Sequence, residues 1–246
     1  MHLDAPAGPA PADPACVRPT PGTAPPPNPR DYIQTAATGN AISRRAAVYG
    51  AAHIVLGGKC IVEARAVIRG DLPRAARADD GERGSGGGGV IVAIGRYASI
   101  GERAVVRPPG RTFHGYAAPS RSRFAYFPLR IGDYVHIGAG SVVEAAQIGN
   151  YVEIGAECVI VRVRAYAKGP FCVIRDGAVV LPGAVLAPET VVPSMTVFGG
   201  APGTPATDAA RIVAPLLEAF QEECEDRART AYGAFRAALN PRRPDP

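Results

Sequence analysis

Aliphatic residues recur at every sixth position through most of the chain. Ile94, Ile100 and Val106 form one run, and Ile131, Ile137 and Val143 a second. Ile148, Ile154 and Ile160 follow, then Ile174, Val180, Leu186, Val192 and Phe198. A weaker series, Ile42, Val48, Ile54, Cys60, Ala66 and Leu72, precedes them. Six steps turn a helix by about 600°, which scatters successive members over opposite flanks. Six is an even number, so an extended chain keeps them on one side. Secondary positions hold small or branched residues (Val135, Ser141, Val152, Cys158, Ala178, Ala184, Thr190, Thr196), as a narrow interior requires. Glycine follows many of the repeat residues (IGRYAS, IGERAV, IGDYVH, IGNYVE), which permits a tight corner. The pattern predicts an all-β solenoid, a parallel β-helix in which three hexads close one triangular coil. About seven coils would stack at a spacing of about 4.8 Å.

The repeat has interruptions and ends. Residues 1–29 hold ten of the 25 prolines and too little apolar surface to offset ordering, so a disordered tail is expected there. Flexible excursions are expected at 73–89 (PRAARADDGERGSGGGG) and 110–123 (GRTFHGYAAPSRSR), with the β-helix running over 30–206 around them. After FGGAPG the period changes. Pro215 suits the first turn of a helix, and Leu216, Phe220, Cys224, Ala231, Phe235 and Leu239 recur at helical spacing. A helix of about 24 residues is expected within 207–240, laid on the solenoid flank or over an open end, with a disordered end at 241–246.

Composition narrows the function. Among 246 residues, 29 Gly and 25 Pro argue against a helical bundle. The longest aliphatic stretches, such as VIVAI, fall far short of the roughly 18 residues of a membrane span, and the start lacks the basic and apolar regions of a secretory signal. Five scattered cysteines without a CxxC pair suggest reduced thiols in a cytosolic protein. The net charge of +5 comes from dispersed arginines rather than a basic face with stacking aromatics, so nucleic-acid binding is not expected. GSGGGG lacks the GK[ST] ending of a phosphate loop and reads as a spacer. Of four histidines, His2 falls in the tail, His114 in a loop, and His53 and His136 each directly precede an inward isoleucine. Each reads as a surface or tolerated histidine before it reads as a ligand.

The stretch RIGDYVHIGAGSVVEAAQIGNYVEIG, with AVIRGDL at 66–72, resembles the gamma-class carbonic anhydrase family. The resemblance places two of that family's zinc-binding histidines at Ala139 and Glu144 and the third near VVRPP at 105–109. None of these is a histidine here, so neither a metal nor another cofactor is expected. Arg69 and Asp71 match a pair that supports packing between solenoids in those relatives. An intramolecular ion pair at a coil corner is the equal alternative. An acyltransferase reading rests on His114 alone, with no nearby carboxylate in sequence to orient it.

More of the chain, about residues 31–238, resembles the dynactin subunit 5 family. The specific matches are TAATGNAISR, the VRPP turn, YFPL and APETVVPSMTVF. That resemblance implies a left-handed winding and a non-catalytic subunit of the dynactin pointed-end complex in cytoplasm and cytoskeleton. It would pair with dynactin subunit 6 and dock beside dynactin subunit 4 and the pointed-end actin-related protein. It would also help dynein and dynactin engage cargo adaptors, without inserting into membranes. Expected partner contacts are the corner bearing Arg69 and Asp71, the turn Arg107, Pro108 and Pro109, and the lead-in Tyr126, Phe127, Pro128 and Leu129. A carbonic-anhydrase-like or acyltransferase-like enzyme remains the alternative.

Overall fold

A computed structural model describes residues 28–72, 89–114, 122–160, 171–187, 189–200, 211–217 and 219–240, without the side chains of 111–114 and 122–124. Residues 1–27 of the expected 1–29 tail, most of the Gly-rich excursion, residues 161–170 and the end at 241–246 lie outside these.

Each hexad forms one short strand, and the strands stack into three parallel sheets around a prism. Sheet A holds Ala41–Ser43, Ile61–Val62, Ser99–Ile100, His136–Ile137, Glu153–Ile154, Val179–Val180 and Thr196–Gly199. Sheet B holds Ala47–Tyr49, Val67–Arg69, Val105–Val106, Val142–Val143, Val159–Ile160 and Val185–Leu186. Sheet C holds Ile54–Leu56, Val92–Ile94, Leu129–Ile131, Gln147–Ile148, Val173–Ile174 and Val191–Val192. Sheet A is closed at both ends by antiparallel strands, Tyr32–Gln34 on the first rung and Arg211–Pro215 on the last. These caps satisfy edges that would otherwise template another chain.

Register explains the period. Ile100, Ile137, Ile154 and Val180 are successive partners in sheet A, and Val106, Val143, Ile160 and Leu186 in sheet B, all almost fully buried. Ser141 is also wholly buried. Its hydroxyl donates to the Gly155 carbonyl (2.8 Å) and accepts from the Cys158 N–H (3.0 Å), so no polar atom there is orphaned. Gly138 has no room for a side chain, because a Cβ would meet the Gly155 backbone on the next coil.

The weak first series needs correction. Ile42 and Val48 pair with Val62 and Ile68, while Leu56, not Ile54, pairs with Ile94. A 3-10 turn at Ala51–His53 adds two residues to the first coil. Cys60 and Ala66 therefore fill secondary positions, still inside because a shift of two preserves the side. The expected loop at 110–123 is instead largely a hairpin, Gly110–His114 against Ser122–Tyr126. Thr190 and Thr196 are only half-buried, each hydroxyl donating to a carbonyl three residues back, Ala187 and Pro193 respectively.

The helix, α1, spans Phe220–Leu239, shorter than expected. Pro215 ends the antiparallel cap of sheet A rather than starting a helix, since a proline at a strand end forgoes no ladder donor. α1 runs back along sheet A from the last rung to the first. Gln221 reaches Met195 (3.5 Å), Tyr232 donates to the Gly39 carbonyl (2.7 Å), and Phe235 meets Tyr32 edge-on (5.0 Å). Twenty residues rise about 30 Å, and six intervals between seven rungs span about 29 Å, so one helix covers the full face. Cys224 and Leu239 are buried as expected, Ala231 is exposed, and Tyr232 is a further buried anchor.

Ile154→Ala should cost about 2–5 kcal/mol in urea unfolding, because its column is closed above and below. Val191→Ala, outward and 45% exposed, should cost under about 1 kcal/mol.

Candidate partner-docking site

The corner between sheets B and C gathers several of the expected contact residues. Arg69 ends the second rung of sheet B, and its Nε and Nη2 donate to the two Asp71 carboxylate oxygens at 2.6 and 2.9 Å. The intramolecular pair is therefore formed, and it holds the Asp71 carboxyl below its usual range. The guanidinium also lies over the half-exposed Tyr49 ring (5.2 Å). One rung on, Arg107 pairs with Glu144, which is 8% exposed. Of the two expected zinc positions, Ala139 stands at a coil corner and Glu144 is thus engaged by a cation.

Not every expected contact is available at the surface. Pro108 and Pro109 are buried behind Arg107, and Leu129 is 0% exposed in the core, where it pairs with Val92. These three are corrected from contact to packing residues: the turn must re-enter the coil, and Leu129 begins an inward-facing hexad. Phe127 packs on Phe171 (4.8 Å) and donates its N–H to the Pro109 carbonyl. Pro128 lines a groove of about 750 Å³ along sheet C, beside Val55, Val90 and Arg130. Tyr126 ends the hairpin, close enough to Arg69 to influence its charge. Arg69, Asp71, Arg107 and Tyr126 remain one neighbourhood.

A second feature had no part in the expectations. Between α1 and sheet A lies a cavity of about 560 Å³ lined by Ser99, His136, Glu153, Cys224, Arg227 and Ala228, among others. Its flank is a column of Tyr97, Tyr134 and Tyr151, stacked at 5.2 and 5.3 Å with rings nearly parallel. All three adopt positive φ (56 to 58°) at equivalent corners, and Lys59 sits below them, donating to Tyr97 Oη (2.7 Å). Their signal was present in the sequence, in the tyrosine that follows IGR, IGD and IGN. Glu153 and Arg227 form an ion pair, yet burial raises the Glu153 carboxyl despite the cation. Burial, then the charge of Arg227, pushes His136 down to about 4. Burial, then Glu153, pushes the Cys224 thiol up to about 12. A neutral imidazole so reluctant to protonate and a thiol so reluctant to ionise are poorly poised for acid–base or nucleophilic chemistry near pH 7. Among the described residues no three His, Cys, Asp or Glu side chains cluster as metal ligands, and no helix is long and apolar enough to cross a membrane.

Comparison with known proteins decides the family. The family model described as Dynactin subunit 5 matches residues 27–235. The chain belongs to the dynactin subunit 5 family. A curated Dynactin subunit 5 of Dictyostelium discoideum is 34% identical over 117 residues, 48% of this chain and 46% of that protein. The match thus spans about half the length of that relative. Among solved structures, a hexapeptide transferase family protein from Anaplasma phagocytophilum superposes with a TM-score of 0.50 at 17% identity. That superposition covers 85% of this chain and 98% of the other. Perosamine N-acetyltransferase from Caulobacter crescentus gives 0.44 at 20% identity, over 70% and 55% of the two chains. The first of these likenesses shows the fold, the left-handed hexapeptide β-helix. For this member of the dynactin subunit 5 family, the site to weigh is therefore its outer surface.

His136 gives a pH prediction. Its folded value lies below the free imidazole's, so its contribution is present above about pH 6.5 and is lost as pH falls toward 4. The raised carboxyls of Glu63 and Glu153 act in the opposite sense, so a variant isolates the histidine. Between pH 7 and pH 4, urea unfolding should show the native chain losing about 3 kcal/mol that His136→Gln does not lose.

Proposed function

We propose that this chain is a non-catalytic structural subunit of the dynactin pointed-end complex, acting in cytoplasm and cytoskeleton. In this reading it pairs with a second β-helix subunit, dynactin subunit 6. It docks near dynactin subunit 4 and the pointed-end actin-related protein, and helps dynein and dynactin engage cargo adaptors. The observation that carries the reading is the family match over residues 27–235. The physical build supports it. A stack of coils locked by backbone ladders is stiff, so its faces and corners present fixed geometry to neighbours. The Arg69, Asp71, Arg107 and Tyr126 corner and the groove at Pro128 are the partner contacts we assign.

Tagged chain recovered from native cytosol should bring the actin-related protein and dynactin subunits 4 and 6 with it. Recovery of a lone homotrimer would overturn the reading. Purified chain should also show no saturable coenzyme A binding, measured by calorimetry. Acetyl transfer that vanishes in His114→Ala would instead establish an enzyme.

A further inference from the structure

We propose that the outer surface of sheet B is the docking face for a second β-solenoid whose facing corner is acidic. This rests on the reading above that the chain pairs with another β-helix subunit.

The face is defined by register. The inward members of sheet B are Val48, Ile68, Val106, Val143, Ile160 and Leu186. The residue before each points away from the axis, and these residues are Ala47, Val67, Val105, Val142, Val159 and Val185. Each is half-buried, and α1 lies over sheet A, so it leaves this row to face outward. The other outward columns differ. Sheet A presents Ser99, His136 and Glu153 beneath α1, and sheet C sets Arg130 and Gln147 between Val55 and Val191. An outward column facing water is ordinarily polar, so an unbroken aliphatic ridge six rungs tall marks a contact surface.

The pairing proposed above supplies a β-solenoid as the occupant, and its stacked strands repeat at the same spacing of about 4.8 Å as the ridge. Charge then selects the kind of solenoid. On the first three rungs, the corner between sheets A and B carries exposed Arg44, Arg45, Arg65 and Arg103, with Glu102 3.7 Å from Arg65. A second copy laid face to face in the same direction would turn this corner toward the sheet B–C corner, setting Arg65 level with Arg69 and Arg103 level with Arg107, whose carboxylates Asp71 and Glu144 are already taken. Laid in reverse with full overlap, it would bring Arg65 to Glu157 but leave Arg45 and Arg103 facing Gly183 and Gly140. A different solenoid with carboxylates at those levels answers all of them. Area completes the case. Six rungs by one hexad side give about 600 Å², short of the roughly 800 Å² per partner of a stable interface. The contact must therefore extend over the adjoining corner, where Tyr49, Arg69 and Asp71 project.

The test mixes the full chain with the partner β-helix subunit and measures affinity by calorimetry and mass by light scattering. Val142→Glu should weaken pairing at least 100-fold, Arg103→Glu about tenfold, and Val191→Glu on sheet C less than threefold. A triple change of Val105, Val142 and Val159 to Thr keeps strand-forming side chains. It should weaken pairing at least tenfold while thermal unfolding stays within a few degrees of the native chain. Native-strength pairing in Val142→Glu or the triple variant would overturn the face while leaving the pairing intact. Absence of pairing by the native chain would overturn the functional reading and the occupant together. A homodimer or homotrimer abolished by Val142→Glu would overturn the heterologous occupant.

Discussion

The structure depends on in-register stacking: backbone N–H groups on one rung donate to carbonyls of the next, as Ser99 does to Val135, His136 to Val152 and Glu153 to Ala178, with rungs about 4.8 Å apart. Because the stacking is parallel and in phase, each position of the hexad becomes a column running the length of the prism. Chemistry is therefore repeated rather than placed once. An inward isoleucine must fit the isoleucines above and below it, and a glycine such as Gly138 must leave space for the next coil's backbone. Closure of the triangle leaves little freedom, which is why Ser141 is tolerated inside only with both its donor and acceptor roles taken.

The corner columns show a balance of opposing terms. Lys59, Tyr97, Tyr134 and Tyr151 all take left-handed backbone conformations, each costing on the order of 1–2 kcal/mol for a residue with a Cβ. The same geometry aims the tyrosine rings along the axis, where offset stacking contributes about 0.5–1.5 kcal/mol per pair. It also builds the wall against which α1 lies, with Tyr232 meeting Tyr97 edge-on and Glu225 accepting from Tyr134 Oη at 3.2 Å. Strain at the corner is thus offset by what the corner holds.

How far the sequence was legible follows from the same columns. The inner column was readable because its period is even and its members are nearly all Ile, Val or Leu, so Ile131 through Phe198 emerged in correct phase. The first coil slipped because the two extra residues at Ala51–His53 carry no composition signal, and the slip hid itself by keeping Cys60 and Ala66 inside. The hairpin at 110–126 was missed because the β pairing of Gly110–His114 with Ser122–Tyr126 has no apolar alternation to announce it. Leu129, Pro108 and Pro109 looked like surface features because they belong to distinctive motifs, yet distinctiveness does not report burial. The space beneath α1 joins residues up to 176 positions apart, Lys59 and Phe235, which no local pattern could have brought together.

Three sheets of equal geometry have been given unequal surfaces, and that inequality carries the functional argument. Sheet A turns Ser99, His136 and Glu153 outward and needs α1 above them, so its polar groups are spent within the chain. Sheet C mixes Arg130 and Gln147 with valines, as a wetted surface does. Sheets A and C double their aliphatics only on some rungs, as in Ile61–Val62, Val179–Val180, Val173–Ile174 and Val191–Val192, whereas sheet B does so on all six, among them Val105–Val106, Val142–Val143, Val159–Ile160 and Val185–Leu186. Folding explains the inward member of each pair and leaves the outward one unaccounted for. A second surface that excludes water from that column supplies the missing reason, and the arginines beside it then govern which surface can approach.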